Sequence, residues 1–342
     1  MKPYERVHNA IEFKPVDKVP LEYHASTVGL YEHGDKLREL FRSVEGDFED
    51  YTGVAAPAPD PRHFDKDGRY HAFIKDEWGV EWEERIFGVY GLPFACPLDD
   101  FNNIHTYRMP PPAFAGENLE NTVARVAAVR KTGRFSRLGW ASLFERMHFI
   151  RGFENTLIDL VEQPPELGML AGIFDGYWER EIAALIEAKV DCVTFGDDFG
   201  MQKNLIFSPE IFRSFFKPRY QRLMKPIKEA GIKIHFHSCG DVWDLLEDFK
   251  DMGVDSIWPQ ITAYDLKEFV KKLRDLELAA AIHIDRANVM TSGTPDEVRR
   301  SLNACAEAFR PYEGGSWFYV EIDNGFPYEN IVALVDEINK YR

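Results

Sequence analysis

The stretch "IKIHFHSCGDVWDLLEDFKDMGVDSIWPQ", residues 232–260, decides the fold. Ile232, Ile234 and Phe236 alternate with Lys233, His235 and His237, which is the period of a strand. The strand breaks on Gly240. Asp241 then suits the cap of a helix whose apolar stripe is Val242, Leu245, Leu246, Phe249 and Met252, and Gly253 suits its stop. "VDSIWPQ" follows as a second strand. Strand, helix and strand in so few residues form a βαβ unit, which demands a parallel sheet.

The same rhythm extends in both directions. Upstream, "KVDCVTFGDD" reads as a strand and "SPEIFRSFFKPRYQRLMKPIKEAG" as a helical stretch. Ser208 suits its N-cap, Pro209 its first turn and Gly231 its end. Pro218 and Pro226 lie inside it, so a kink or two consecutive helices are expected. Downstream come "AYDLKEFVKKLRD" as helix, "ELAAAIHID" as strand, "TPDEVRRSLNACAEAF" as helix, "SWFYVEID" as strand and "YENIVALVDEINKY" as the closing helix. Strands recur roughly every 25 to 35 residues without a glycine-rich phosphate turn. "RFSRLGW" and "VPLEYHA" add two strands nearer the N-terminus, and one more completes a ring of eight. The expected fold is therefore α/β, a (β/α)₈ TIM barrel, with a doubly wound sheet as the alternative.

Residues 50–130 break the rhythm. "AAPAPDPRHFDKDGRY", "DEWGVEWEER" and "MPPPAFAGEN" are rich in Pro, Asp and aromatics, and "VEWEERI" suits one arm of a hairpin. The expectation is one barrel domain over 1–342, with an irregular insertion at about 50–130 covering one end.

Composition limits the function classes. The chain has 342 residues, of which 45% are hydrophobic, enough for a large core. No apolar run approaches the roughly 18 residues of a membrane helix, and "MKPYERVHNAIEFKP" has no secretory h-region. A net charge of −16 argues against nucleic acid and anionic membranes as partners. The four cysteines, Cys96, Cys192, Cys239 and Cys305, form no CxxC, which reads as reduced thiols in a cytoplasmic protein.

In a parallel barrel the active site forms at the C-terminal strand ends. The polar residues there are Tyr23, His24, Asp197, Asp198, His237, Cys239, Gln260, His283, Asp285, Glu321 and Asp323. Residues two apart share a face, so His237 and Cys239 can both enter the mouth, and imidazole with thiolate is half a zinc site. A third ligand is needed. Cys305 falls on the apolar face of a helix with Leu302 and Phe309, Cys192 lies inside a strand, and Cys96 has no clear place. A carboxylate fits better: Glu321 first, with Asp323 left open.

From about residue 15 onward the chain resembles the uroporphyrinogen decarboxylase superfamily, and within it the corrinoid-dependent zinc methyltransferases. The resemblance rests on "KDEWGVEWEE", "LFERMHFIRGFEN", "VTFGDDFGMQKNLIFSPEIFRSFFKPRY", "HFHSCGDVWDLLEDFKDMGVDSIWPQ" and "TPDEVRRSLNACAEAF". It implies a (β/α)₈ barrel. The decarboxylases carry an N-terminal RQAGR-type motif that holds carboxylates, whereas this chain has "LEYHASTVGLYEHGDKLREL". The zinc methyltransferases bind metal through HxC and a distant Cys near the last strand. His237 and Cys239 match the HxC, while "FYVEIDNGFPYEN" has no Cys and offers Glu321 in its place.

The resemblance implies transfer of a methyl group between a small methylated substrate (methoxy-aromatic, methylamine or thiol) and a corrinoid carried by a partner protein. Zinc on His237, Cys239 and Glu321 would act as Lewis acid. Asp198 and Glu77 are the candidates for proton handling. Tyr23, His24, Trp78, Gln260 and His283 are expected in the substrate pocket, and the aromatic 70–110 region is expected to line it. A homodimer is left open. The alternatives are metal-free decarboxylation, with Arg134, Arg137, Arg151 and Arg286 holding carboxylates, and a binding barrel without chemistry.

Overall fold

The computed structural model describes all 342 residues. Ten strands are present: β1 (Leu21–Ala25), β2 (Ala72–Lys75), β3 (Glu81–Glu84), β4 (Leu92–Ala95), β5 (Arg137–Ala141), β6 (Cys192–Gly196), β7 (Lys233–Ser238), β8 (Ser256–Pro259), β9 (Ala279–Ile282) and β10 (Ser316–Ile322). Seven of them form a curled parallel sheet in the order β1-β10-β9-β8-β7-β6-β5, with helices in the crossovers. This is the TIM-barrel-like α/β fold that the βα rhythm implies.

The ring closes between β1 and β5 through a vestigial strand at residues 47–48. Asp47 N–H donates to Leu21 O at 2.8 Å, Phe135 N–H donates to Asp47 O at 2.8 Å, and Phe48 bridges Phe135 in parallel. The Asp47 side chain, fully buried, completes the junction. It takes the Leu21 N–H at 2.8 Å, Arg342 at 2.7 Å and Arg6 through Nη1. These residues stand at the N-terminal ends of the strands, the end of a barrel that serves stability.

The helical stretch after β6 divides ahead of Pro218, whereas Pro226 stays inside the second helix without dividing it. Pro209–Ile211 continues into a π-turn at Phe212–Phe216, and Lys217–Glu229 follows with Pro218 in its first turn, where no N–H is needed. The insertion builds its own antiparallel sheet, β2-β3-β4, so "VEWEERI" does supply a hairpin arm. No helix is long and apolar enough to cross a membrane.

Candidate active site

Strand alternation decides which side chains enter the mouth. On β7, Phe236 is buried toward the helices against Phe249, while His235 and His237 point inward. His237 Nδ1 lies 2.9 Å from the Trp258 carbonyl, the partner that makes Nδ1 the donor and leaves Nε2 free. Nε2 is 3.4 Å from Cys239 Sγ and 3.4 Å from Asp198 Oδ1. The three donor atoms lie within 4.8 Å of one another. His235 sits deeper, with Nδ1 bonded to Ser256 Oγ at 2.9 Å, and burial with nearby Arg137 holds it far below the usual histidine range.

The loops carrying Asp198 and Cys239 lock together. Cys239 N–H donates to Asp198 Oδ1 at 2.8 Å, Asp241 N–H to Met201 O at 2.7 Å, and Phe199 N–H to Ser238 Oγ at 3.0 Å. Burial would raise the Asp198 carboxyl, but its bonds from His237 and Cys239 outweigh that and hold it below its ordinary value. Burial and the Asp198 charge push the Cys239 thiol well above the usual cysteine range. The two loops touch backbone to backbone at Gly240, whose φ is +73°. A Cβ there would meet Gly200 C at 2.2 Å. Gly240→Ala is therefore expected to cost about 2–4 kcal/mol, from left-handed strain plus overpacking, and to spread the Asp198–Cys239 pair. Urea unfolding of the variant checks the cost, and a variant as stable as the wild type would contradict this account.

Two chambers meet at His237, Trp258 and Arg286. One, of about 430 Å³, is walled by Trp140, Trp258, Tyr51 and Tyr319, with Glu22, Arg137, His24 and Glu321 as its polar groups. The other, of about 420 Å³, runs past Cys239, Gln260, His283 and Asn288. Trp140 reaches over the His237 ring, 5.5 Å between centroids, because Gly196 leaves it room: a Cβ there would stand 2.3 Å from the indole. Trp258 lies closer, 4.0 Å from the His237 ring, and its Nε1 donates to His283 Nδ1 at 3.2 Å. Burial pushes His283 down to about 4, so it is neutral near pH 7.

The site residues inferred from sequence are partly reassigned. Glu321 stands outside the donor cluster. Its carboxylate faces Arg286 Nη1 at 3.2 Å and His24 Nδ1 at 3.7 Å, and these hold it down to about 2 despite burial. Asp323 pairs with Arg286 and Ser26. Asp198 is the carboxylate that joins His237 and Cys239. Tyr23 faces outward and stacks on Phe41 at 4.5 Å, whereas its neighbour His24 lines the first chamber. Trp78 packs among Phe174, Tyr177 and Trp178, and Glu77 is exposed in the β2–β3 turn. The aromatic 70–110 region therefore supplies neither chamber's walls, and from the start of the insertion only Tyr51 reaches the first chamber. Gln260 and His283 line the second chamber, and Gln260 Oε1 also takes the Gly240 N–H at 3.0 Å. Asp197 is structural: fully buried, it accepts from Ser142 Oγ, Tyr220 and the N–H groups of Leu143, Phe144 and Glu145 at the start of the helix Phe144–Arg151.

Sequence reasoning missed Glu22, Trp140, Trp258 and Tyr319 as chamber residues. Strand parity was the signal for three of them: Glu22 with His24, Trp258 with Gln260 and Tyr319 with Glu321. Trp140 enters only because the β5 register shifts between Leu138 and Ala141. Glu145 was missed as well. Burial, with Asp197 and Asp198 nearby, raises its carboxyl to about 8.

A barrel of parallel strands with an imidazole, a thiol and a carboxylate gathered at their C-terminal ends defines the class of the molecule. The family model described as uroporphyrinogen decarboxylase (URO-D) matches residues 141–341, and the chain belongs to that family. Among solved structures, a methyltransferase from Methanosarcina mazei is similar at 15% identity and a TM-score of 0.67, over 100% of this chain and 99% of that one, which supports the fold. A GH27 β-L-arabinopyranosidase from Geobacillus stearothermophilus matches at 9% identity and a TM-score of 0.43, over 97% and 78% of the two chains. A mannonate dehydratase from Streptococcus suis matches at 12% and 0.41, over 72% and 89%. Both scores are too low to add to the assignment. No curated protein matches the sequence.

Proposed function

We propose that the chain is a zinc-dependent methyltransferase that moves a methyl group between a small methylated substrate and a corrinoid carried by a separate protein. The observation that carries this reading is the convergence of His237 Nε2, Cys239 Sγ and Asp198 Oδ1 within 4.8 Å at the strand ends. The donor set fits zinc: nitrogen, sulfur and oxygen from three side chains, with room for a fourth ligand facing the chambers. When bound there, zinc supplies a Lewis acid for the negative charge on the oxygen or sulfur that gains or loses the methyl group. The chain's own groups prepare that position. The Trp258 carbonyl orients His237. The Cys239 N–H holds Asp198. Trp140 and Trp258 keep the space beside the His237 ring apolar, and Asp198 is the nearest carboxylate for exchanging a proton with the substrate.

Metal-free decarboxylation has less support. Holding a polycarboxylate needs free cations, and the candidate arginines are already paired: Arg134 with Asp50, Arg137 with Glu22, Arg151 with Asp159 and Arg286 with Glu321 and Asp323. A binding barrel without chemistry would be favoured by a plugged mouth, and the two chambers are open.

The test is spectroscopic. Zinc-loaded protein is mixed with free cob(I)alamin and a panel of methoxy-aromatic, methylamine and methylthio compounds. Conversion of the Co(I) spectrum to that of methyl-cobalt with at least one donor, lost after chelation and restored by zinc, is the expected result. Uroporphyrinogen turnover without metal would overturn the reading.

A further inference from the structure

The first chamber has a chemical preference of its own. Four aromatic side chains wall it: Trp140, Trp258, Tyr51 and Tyr319. Trp258 packs edge-on to Tyr319 at 4.7 Å and to Trp140 at 6.4 Å, so the rings meet at steep angles rather than in one flat stack. Rings set at such angles can surround a small group from several sides, as they do around quaternary ammonium ions.

The charges around these rings are unequal. At the floor, Arg137 gives Nε and Nη2 to Glu22 and Nη1 to Thr194 Oγ1 at 3.0 Å, while Glu22 also takes the Trp317 indole N–H at 3.2 Å. That pair offsets its own charge, and each of the three Arg137 nitrogens is already bonded. At the wall, one guanidinium, Arg286, serves two carboxylates, Glu321 and Asp323. These three side chains carry one negative charge in excess, which His24, 3.7 Å from Glu321, offsets only when it is protonated. The cluster also keeps buried polar atoms without a hydrogen bond. Glu321 Oε2 is buried with no hydrogen bond, because Arg286 Nη1, though 3.2 Å away, is not directed at it, and His24 Nδ1 is buried and unbonded too. An anion entering would meet only the Arg286 guanidinium, whose charge Glu321 and Asp323 already offset, and a neutral apolar ligand would leave the Glu321 oxygen stranded.

We propose that this chamber binds an organic cation, an alkylated ammonium group, with the aromatic walls against its methyl groups and Glu321 as counter-charge. The inference rests on the methyltransferase reading only in placing the other end of the ligand at His237, Cys239 and Asp198. It makes the substrate a molecule with a cationic group remote from the metal position.

The probe is choline, with 3,3-dimethylbutan-1-ol as its uncharged isostere and benzoate as the anion. Each is titrated at constant ionic strength into apo and zinc-loaded protein, with tryptophan fluorescence as readout. Choline is expected to bind at least tenfold more tightly than the alcohol, and benzoate most weakly. Glu321→Gln is expected to remove that tenfold advantage while the alcohol binds unchanged. Trp140→Leu, a second variant away from the ion pair, is expected to weaken choline more than the alcohol. Equal binding of choline and its isostere, tighter benzoate, or an undiminished choline preference in Glu321→Gln would overturn the proposal. Zinc content measured on the same samples separates the two readings. In the wild type, absence of a choline preference with zinc uptake intact sinks this inference alone, and failure to take up zinc with the choline preference present sinks the methyltransferase reading alone.

Discussion

Cys239→Ala is expected to lower zinc affinity by about a hundredfold or more, so that the metal is lost on gel filtration while the wild type keeps about one equivalent. The size of the effect comes from what remains. Without the thiolate, His237 and Asp198 hold the ion by two atoms, and the pair was positioned for three. The same loss is expected in Asp198→Ala, to a smaller degree because a carboxylate contributes less to zinc than a thiolate does. Glu321→Gln is expected to keep its zinc, since that carboxylate belongs to Arg286 and His24. The opposite pattern, zinc lost in Glu321→Gln and kept in Asp198→Ala, would reinstate the ligand set inferred from sequence. The dependence on pH has a fixed sign. Burial pushes the Cys239 thiol up, so zinc must displace its proton, and apparent affinity should rise about tenfold per pH unit while the free thiol stays protonated. Asp198 is held below its ordinary value and adds no proton competition near neutrality. Competition with a chromophoric chelator between pH 6 and 8 measures the slope, and a flat profile would exclude the thiol as a ligand.

These expectations also mark what the sequence could convey. Strand–helix alternation carried the barrel, because each βα unit writes its own period into a short window. The HxC at the end of β7 was legible for the same reason: parity and a following glycine are local. The third ligand was not local. Strand-end position tells which way Glu321 points but not its distance from His237, and β9 and β8 lie between β10 and β7. Asp198, in the loop just after β7's immediate neighbour β6, had the shorter reach. It was legible as a mouth residue but was assigned to proton handling. Trp78 and Glu77 were misplaced because the insertion has no barrel period, and its aromatics stabilise their own sheet and the helix Pro165–Ala188. Trp258 could have been placed at the mouth from the parity of Gln260, but Trp140 could not, because the β5 register shift that turns it inward leaves no mark in the sequence.

The eighth strand was the least legible element, and the second large effect lies there. "SVEGDFEDY" shows no alternation, since two residues make the whole bridge and a side chain does the rest. Asp47→Ala is expected to destabilise the fold by about 3–5 kcal/mol, the range for removing one partner from a buried ion cluster. Asp47 is fully buried, and Arg6 and Arg342 reach it with side chains only 4% and 5% exposed. Without the carboxylate, two guanidiniums lose their shared counter-charge inside the barrel floor, and the Leu21 N–H loses its acceptor. Some relief remains, because Arg6 keeps Asp17 and Arg342 keeps the carbonyls of Val19 and Glu45. Asp47→Asn should fall between the variant and the wild type, since it restores the acceptor for Leu21 but not the charge. Urea unfolding of the three proteins tests the order. The active site offers an internal control. It lies at the opposite ends of the strands, so zinc stoichiometry under native conditions should be unchanged in Asp47→Asn. A loss below about 1 kcal/mol in Asp47→Ala would mean that the main-chain bridge at residues 47–48 closes the barrel without its side chain.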